Sequence, residues 1–214
     1  MNTNIPPEIW RFYLLSNRPE KSDTYFFWKD FGLKTNSELL ANIGNLCQRS
    51  LQMIYLSDKK VQSVPKGNEL TASDKELIDN SYQQFLDFLK AFESVEIREA
   101  LRIAMAISHL GNKYFQNEKP WEIKKKDLAR YNAVLGVMAN FIRFLSAILE
   151  PFVPSLSAKM NFLLNVANRT EKDDKIYQHL ENAKSSDVIL TLIPQGHEIN
   201  QPVHLINERL SLFP

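Results

Sequence analysis

Lys119-Pro120-Trp121, with the basic run Lys124-Lys125-Lys126 just after it, is a spacing that can do chemistry on a flat, charged partner. Proline ends a helix or occupies its first turn, because its ring fixes φ and it has no N–H to donate. The tryptophan that follows is thereby held at a helix junction, where the indole face can point outward. A presented aromatic beside lysines suits an unpaired nucleic-acid base, which stacks on the ring while the cations meet phosphate. The same residues also suit a structural role, in which the tryptophan staples a helix end into the core.

A second constellation lies upstream. Between Asn36 and Leu56, apolar residues recur at Leu39, Leu40, Ile43, Leu46, Cys47, Leu51 and Ile54, which is helical spacing. At roughly 100° per residue, Asn45, Arg49 and Gln52 share one stripe opposite that apolar arc, with Asn42 beside it. An asparagine amide both donates and accepts, and arginine presents a rigid fork of donors, so such a stripe can hydrogen-bond to base edges. The structural alternative is a plain solvated helix face.

Helical elements must position both groups. Thr35 and Glu38 have the spacing of a capping box at the start of the first helix, and Ser73 and Glu76 that of the second. The second helix carries a stripe of Leu77, Ile78, Phe85, Leu86, Phe88, Leu89 and Phe92. A third helix is expected over 95–116, a fourth over 126–149, ending before Pro151, and a fifth over 154–164. Residues 57–70 read as a polar loop and 168–187 as a loop or surface helix. The β-branched run 188–193, bounded by Pro194, is a strand candidate. The dense aromatic run from Ile9 to Leu15 reads as a short strand or helix, with Trp10 and Trp28 as packing residues.

With 214 residues, 44% of them hydrophobic, the chain can bury roughly 70% of its unfolded surface without disulfides or metals. Six glycines among many Leu, Ala, Glu and Lys residues favour helix. The net charge of +1 places any nucleic-acid contact on a local patch, and Lys113, Lys119, Lys124, Lys125, Lys126 and Arg130 supply one, offset by Glu118, Glu122 and Asp127. Cys47, the single cysteine, lies on the apolar arc and reads as a small buried hydrophobe. No zinc-ligand spacing occurs, and no apolar run is read as membrane-spanning, nor the N-terminus as a signal peptide.

Beyond these patterns, the chain carries Pro7-Glu8-Ile9-Trp10-Arg11-Phe12-Tyr13-Leu14-Leu15, Arg18-Pro19-Glu20, Asp23, Phe26, Trp28, Asp30-Phe31, and the stretch from Asn36 to Asn45. Further along stand Gly111-Asn112, Pro120-Trp121, Pro151-Phe152-Val153-Pro154 and Gly196-His197-Glu198-Ile199. In these ordered motifs the chain resembles the eukaryotic type of methionyl-tRNA synthetase. It departs from the family near 203–209. The resemblance implies that Asn45, Arg49 and Trp121 bind nucleic acid, reading a CAU anticodon: the indole stacks on a base, and the other two hydrogen-bond to bases. It further implies a mainly α fold, with an anticodon-binding bundle of about five helices over 33–164. A junction from the end of the catalytic part occupies 1–32, and a strand-containing C-terminal extension 165–214. The partners it implies are methionine tRNA and the catalytic domain of the same enzyme, in the cytoplasm and away from membranes. ATP, with Mg²⁺, is expected in the catalytic domain, and no catalytic residue, metal or cofactor in this segment.

Two other readings use the same residues: a non-catalytic protein-binding module derived from a synthetase, and the anticodon domain of another class I synthetase. Asn45 and Arg49 together with Pro120-Trp121 favour the methionine enzyme. The two catalytic signatures of class I synthetases, of the His-Ile-Gly-His and Lys-Met-Ser-Lys-Ser types, do not occur among these 214 residues. The isolated chain is therefore expected to show no methionine-dependent pyrophosphate exchange, and turnover above background with pure protein would contradict that.

Overall fold

Helix α7, Leu128–Leu149, is buried on every side from Val134 onward, and the other helices are arranged around it. The computed structural model describes residues 4–166, 174–183 and 185–202. In chain order these form α1 (Pro7–Ser16), α2 (Trp28–Lys34), a π-helical stretch (Thr35–Gly44), α3 (Asn45–Tyr55), α4 (Ala72–Glu93) and α5 (Ile97–Glu118). The single turn α6 (Pro120–Ile123), then α7, α8 (Pro154–Leu163) and α9 (Asp174–Glu181) complete the set. A helix apolar all round must be covered by protein or lipid. By length and composition α7 could cross a membrane, contrary to the sequence reading, but 89% of its apolar stretch is buried inside the protein. Helices α3, α4, α5 and α8 pack on it.

Close approaches depend on two glycines. A Cβ at Gly136 of α7 would stand 1.7 Å from the Ser63 carbonyl oxygen, so the 57–70 loop lies with its backbone directly on that helix. At Gly111 of α5 a Cβ would stand 2.3 Å from a Phe141 ring carbon and 2.9 Å from a Leu46 methyl, which lets α3, α5 and α7 converge. The N-terminal segment is helical and packs Trp10 against Phe31 at 4.6 Å between ring centroids, with Phe26 and Trp28 joining the cluster.

The mainly helical expectation holds, and its local details change in three places. Residues 188–193 are not a strand. A 3₁₀ turn spans Ser186–Thr191, and among the described residues no strand stands beside it. Its apolar side chains are buried, so a lone strand there would leave ladder groups unpaired. Local turns and the Asn140 side chain satisfy the backbone instead: the amide donates to the Ile193 carbonyl at 3.0 Å and accepts from the Ile193 N–H. Second, no helix begins at Thr35, because the helical run continues from Trp28 to Tyr55; Thr35 is buried, and Glu38 accepts from Asn42 instead. Third, the cap of α4 is Thr71 with Asp74 rather than Ser73 with Glu76: the Thr71 N–H donates to Asp74 at 2.9 Å, and the Asp74 N–H to the Thr71 hydroxyl at 3.3 Å. The tail at 203–209 lies outside the described residues.

That cap extends into the core. The fully buried Asp74 carboxylate accepts two hydrogen bonds from the Arg130 guanidinium of α7, at 2.7 and 2.9 Å, and one from the Tyr114 hydroxyl of α5 at 2.6 Å. Arg130 also pairs with Glu118 at 2.7 Å. Burial pushes the Asp74 pKa up, but the bonds from Arg130, Tyr114 and the Thr71 N–H outweigh it and hold the carboxyl below its ordinary value. Burial and the adjacent Asp74 charge hold the Tyr114 phenol well above its own, so it remains a donor. A carboxyl whose folded pKa lies below its unfolded value stabilises the fold above about pH 4, and that contribution is lost as pH falls toward the folded value. Wild-type melting temperature should therefore fall more steeply below about pH 4 than that of Asp74→Ala. At neutral pH the variant should lose about 3 kcal/mol, the lower end for a broken buried pair because Glu118 still accompanies Arg130. Thermal melts from pH 3 to pH 7 check both, the neutral loss corresponding to roughly 6–12 °C.

Candidate nucleic-acid interface

The first wall of the site is α3. Its N-terminus follows directly from the π-helical stretch, where the Asn45 N–H reaches back to the Leu40 carbonyl, one residue beyond an α-helical bond. The wider π turn changes which side chains face inward. A 100° wheel places Asn42 beside the exposed stripe, but Asn42 is buried, donating to the Met105 carbonyl at 3.2 Å and to Glu38 at 3.0 Å. It is a structural bridge between the π-helical stretch and α5. Past Gly44 the winding is α-helical, and Asn45 and Arg49 stand one turn apart on the exposed side, with Gln52 half-buried below them. Cys47, on the inward side, is inert: burial pushes its thiol up to about 12.

The second wall is the α5–α7 junction. Lys119 caps α5 in the left-handed conformation at φ 45°, because the residue before a proline cannot readily continue the helix. Pro120 is buried and opens α6, where its missing N–H leaves no bond unmade. This reversal turns Trp121 back over α5, where it meets the Phe115 ring edge-on at 6.1 Å, with 43% of its surface exposed. The tryptophan is thus both anchored and presented. Two ties close the segment that carries it: Glu118 to Arg130, and Asp127, whose carboxylate caps α7 by accepting from the Arg130 N–H at 2.9 Å.

The two walls meet at Phe115, which is fully buried. The Arg49 guanidinium lies over its ring, 5.3 Å from the centroid, and donates to the Asn112 side-chain oxygen at 3.4 Å. Arg49 and Trp121 therefore rest on the same phenylalanine, although 72 residues separate them in sequence (121 − 49). Asn45 continues the surface one turn along α3. Of the lysines, Lys124 turns its ammonium over the Tyr131 ring at 5.4 Å, while Lys125 and Lys126 are exposed. Such a surface offers a stacking face, a guanidinium fork and an amide, which is the equipment for binding planar hydrogen-bonding groups. Among the described residues, no group of His, Cys, Asp and Glu is arranged to hold a metal ion.

Sequence reading missed Phe115 and Asn112 as members of the site. The available signal was a polar residue, Asn112, on the inward side of α5 and three positions before an aromatic.

A model of the "anticodon binding domain of methionyl tRNA ligase" matches residues 64–208, and one of "tRNA synthetases class I (M)" matches residues 1–51. A probable cytoplasmic methionine–tRNA ligase of Dictyostelium discoideum is 41% identical over 201 residues, covering 94% of this chain and 25% of that protein. The cytoplasmic methionine–tRNA ligase of Homo sapiens is 38% identical over 168 residues, 77% of this chain and 18% of that protein. The chain thus spans at most about a quarter of the length of these relatives. Methionyl-tRNA synthetase of Mycobacterium tuberculosis, solved in complex with methionyl-adenylate, shares the fold at a TM-score of 0.81 with 21% identity, over 94% of this chain and 37% of that one. With a family match over most of its length, the chain belongs to the methionyl-tRNA ligase family and carries that family's anticodon-binding domain.

Proposed function

We propose that this chain reads the CAU anticodon of methionine tRNA on the face where Asn45, Arg49 and Trp121 meet. The observation that carries the reading is their convergence: an exposed indole and an exposed guanidinium share Phe115 as a floor, with the Asn45 amide one helical turn away. The indole offers one stacking platform, and Arg49 and Asn45 offer hydrogen bonds that differ between bases. Lys125 and Lys126 flank the platform and are suited to phosphate rather than to bases. The division of labour follows the sequence reading: 1–32 as the junction, 33–164 as the recognition bundle and 165–214 as its extension.

In this reading the whole protein is a methionine–tRNA ligase of the cytoplasm, as the names of its relatives suggest. It activates methionine with ATP and Mg²⁺ in its catalytic domain and transfers it to the tRNA held here. The methionyl-adenylate bound to the mycobacterial relative supports that chemistry.

Trp121→Ala should weaken binding of a CAU anticodon stem-loop by about 1–3 kcal/mol, the range for one base on one aromatic, or roughly 5- to 150-fold. Asn45→Ala and Arg49→Ala should weaken binding and also narrow the preference for CAU over altered anticodons. Lys125→Glu should lower affinity for all sequences alike and flatten the salt dependence. Titrations with matched and altered stem-loops measure all four. A folded Trp121→Ala chain that binds CAU as tightly as wild type would sink the assignment.

A further inference from the structure

Arg49 is exposed, yet its guanidinium is held at two points, and neither contact point is itself a base reader in the reading above. Phe115 is fully buried and out of reach of any ligand. Asn112 is half-buried, and its orientation is dictated by its neighbours. Its NH₂ group faces the carbonyl oxygens of Asn42 at 2.9 Å and Ser108 at 3.3 Å, and also the Asn42 side-chain oxygen at 3.0 Å. Three acceptors around that nitrogen leave the Asn112 oxygen as the atom directed at Arg49. The buried Asn42 carboxamide completes the chain by bonding to the Met105 carbonyl, so the acceptor offered to Arg49 is fixed to the packing of the π-helical stretch on α5.

We propose that Asn112 and Phe115 form a positioning seat that preorients the Arg49 guanidinium, and that the Phe115 ring couples Arg49 energetically to Trp121. Resting on the anticodon reading above, the proposal adds a specificity mechanism to it. A free arginine side chain must give up rotamer freedom when it grips a ligand. A guanidinium already lying over one ring, with one N–H directed at a fixed oxygen, has lost much of that freedom beforehand. The indole packs edge-on against the same ring at 6.1 Å while the guanidinium lies 5.3 Å from its centroid. Removing either neighbour loosens the floor on which the other rests, so the two readers act as a unit rather than as independent contacts.

The test is a double-mutant cycle on the full 214-residue chain, with an anticodon stem-loop carrying CAU as the probe. Arg49→Ala, Trp121→Ala and the double variant change exposed side chains and should remain folded, with melting curves as the check. The expected result is that the double variant loses less affinity than the product of the single losses, by at least about twofold, as for residues that share a partner. In a Phe115→Leu background, assayed below its own melting transition, the losses should simply multiply. Asn112→Ala should reduce affinity and narrow the preference for CAU, which a merely structural role would not do. Multiplying losses in the wild-type background would overturn the coupling while leaving the anticodon reading intact. Tighter binding by Asn112→Ala would overturn the seat, by showing that the contact restrains Arg49 from the RNA. If neither single variant loses affinity, the anticodon reading itself fails.

Discussion

Three helices of this protein meet on one buried carboxylate. Asp74 caps its own helix α4, accepts the Tyr114 hydroxyl from α5 and takes both arms of Arg130 from α7. A buried ion pair of this kind need not stabilise a fold more than apolar residues of the same shape, since desolvation offsets much of the attraction. What the geometry supplies is register. The bidentate fork is satisfied in one relative placement of α4 and α7, and the phenol of Tyr114 fixes α5 to both. Arg130 then reaches Glu118, and this tie spans the chain segment that carries Trp121. The presentation of one half-exposed indole thus depends on a carboxylate on another helix.

The face that carries Asn45, Arg49 and Trp121 is assembled from two irregularities, each with a local physical cause. On one wall, π winding up to Gly44 turns Asn42 inward and sets the phase at which α3 begins, so that Asn45 and Arg49 come out on the open side. On the other, Lys119, barred by Pro120 from continuing the helix, ends α5 in the left-handed region, a strained placement that persists only where the surroundings hold it. Here Pro120 is buried and Trp121 packs on Phe115, so the reversal is held on both sides of the peptide. Irregular backbone held by a rigid bundle is a common way to present binding side chains precisely while keeping them accessible.

Charge plays the smaller part. With a net charge of +1 the chain has little long-range attraction for RNA, and its lysines lie beside the aromatic platform rather than beneath it. Lys124 is drawn over Tyr131, and Lys119 pairs with Glu122 at 3.5 Å. In the anticodon reading proposed above, discrimination therefore falls to the directed hydrogen bonds of Asn45 and Arg49, while stacking on Trp121 adds affinity that every base shares.

The sequence by itself determined the helical class, most helix spans, the inert burial of Cys47 and the identity of the three residues that line the open face. Each is written in local terms: apolar period, proline position, residue chemistry, and the ordered motifs of a family resemblance. Only the tertiary structure decided the rest. A wheel of uniform pitch could not show that Asn42 turns inward, because the π winding sets it against α5, where it bonds to the Met105 carbonyl. The run at 188–193 has strand composition, yet α4 and α7 offer it a groove and the Asn140 amide, with no strand edge, so it closes into turns. The cap moved to Asp74 because that carboxylate also finds Arg130, 56 residues away. Phe115 joins Arg49 to Trp121 for a similar reason: it is an ordinary core residue to any local reading, and its role exists only because packing at Gly111 brings α3 against α5.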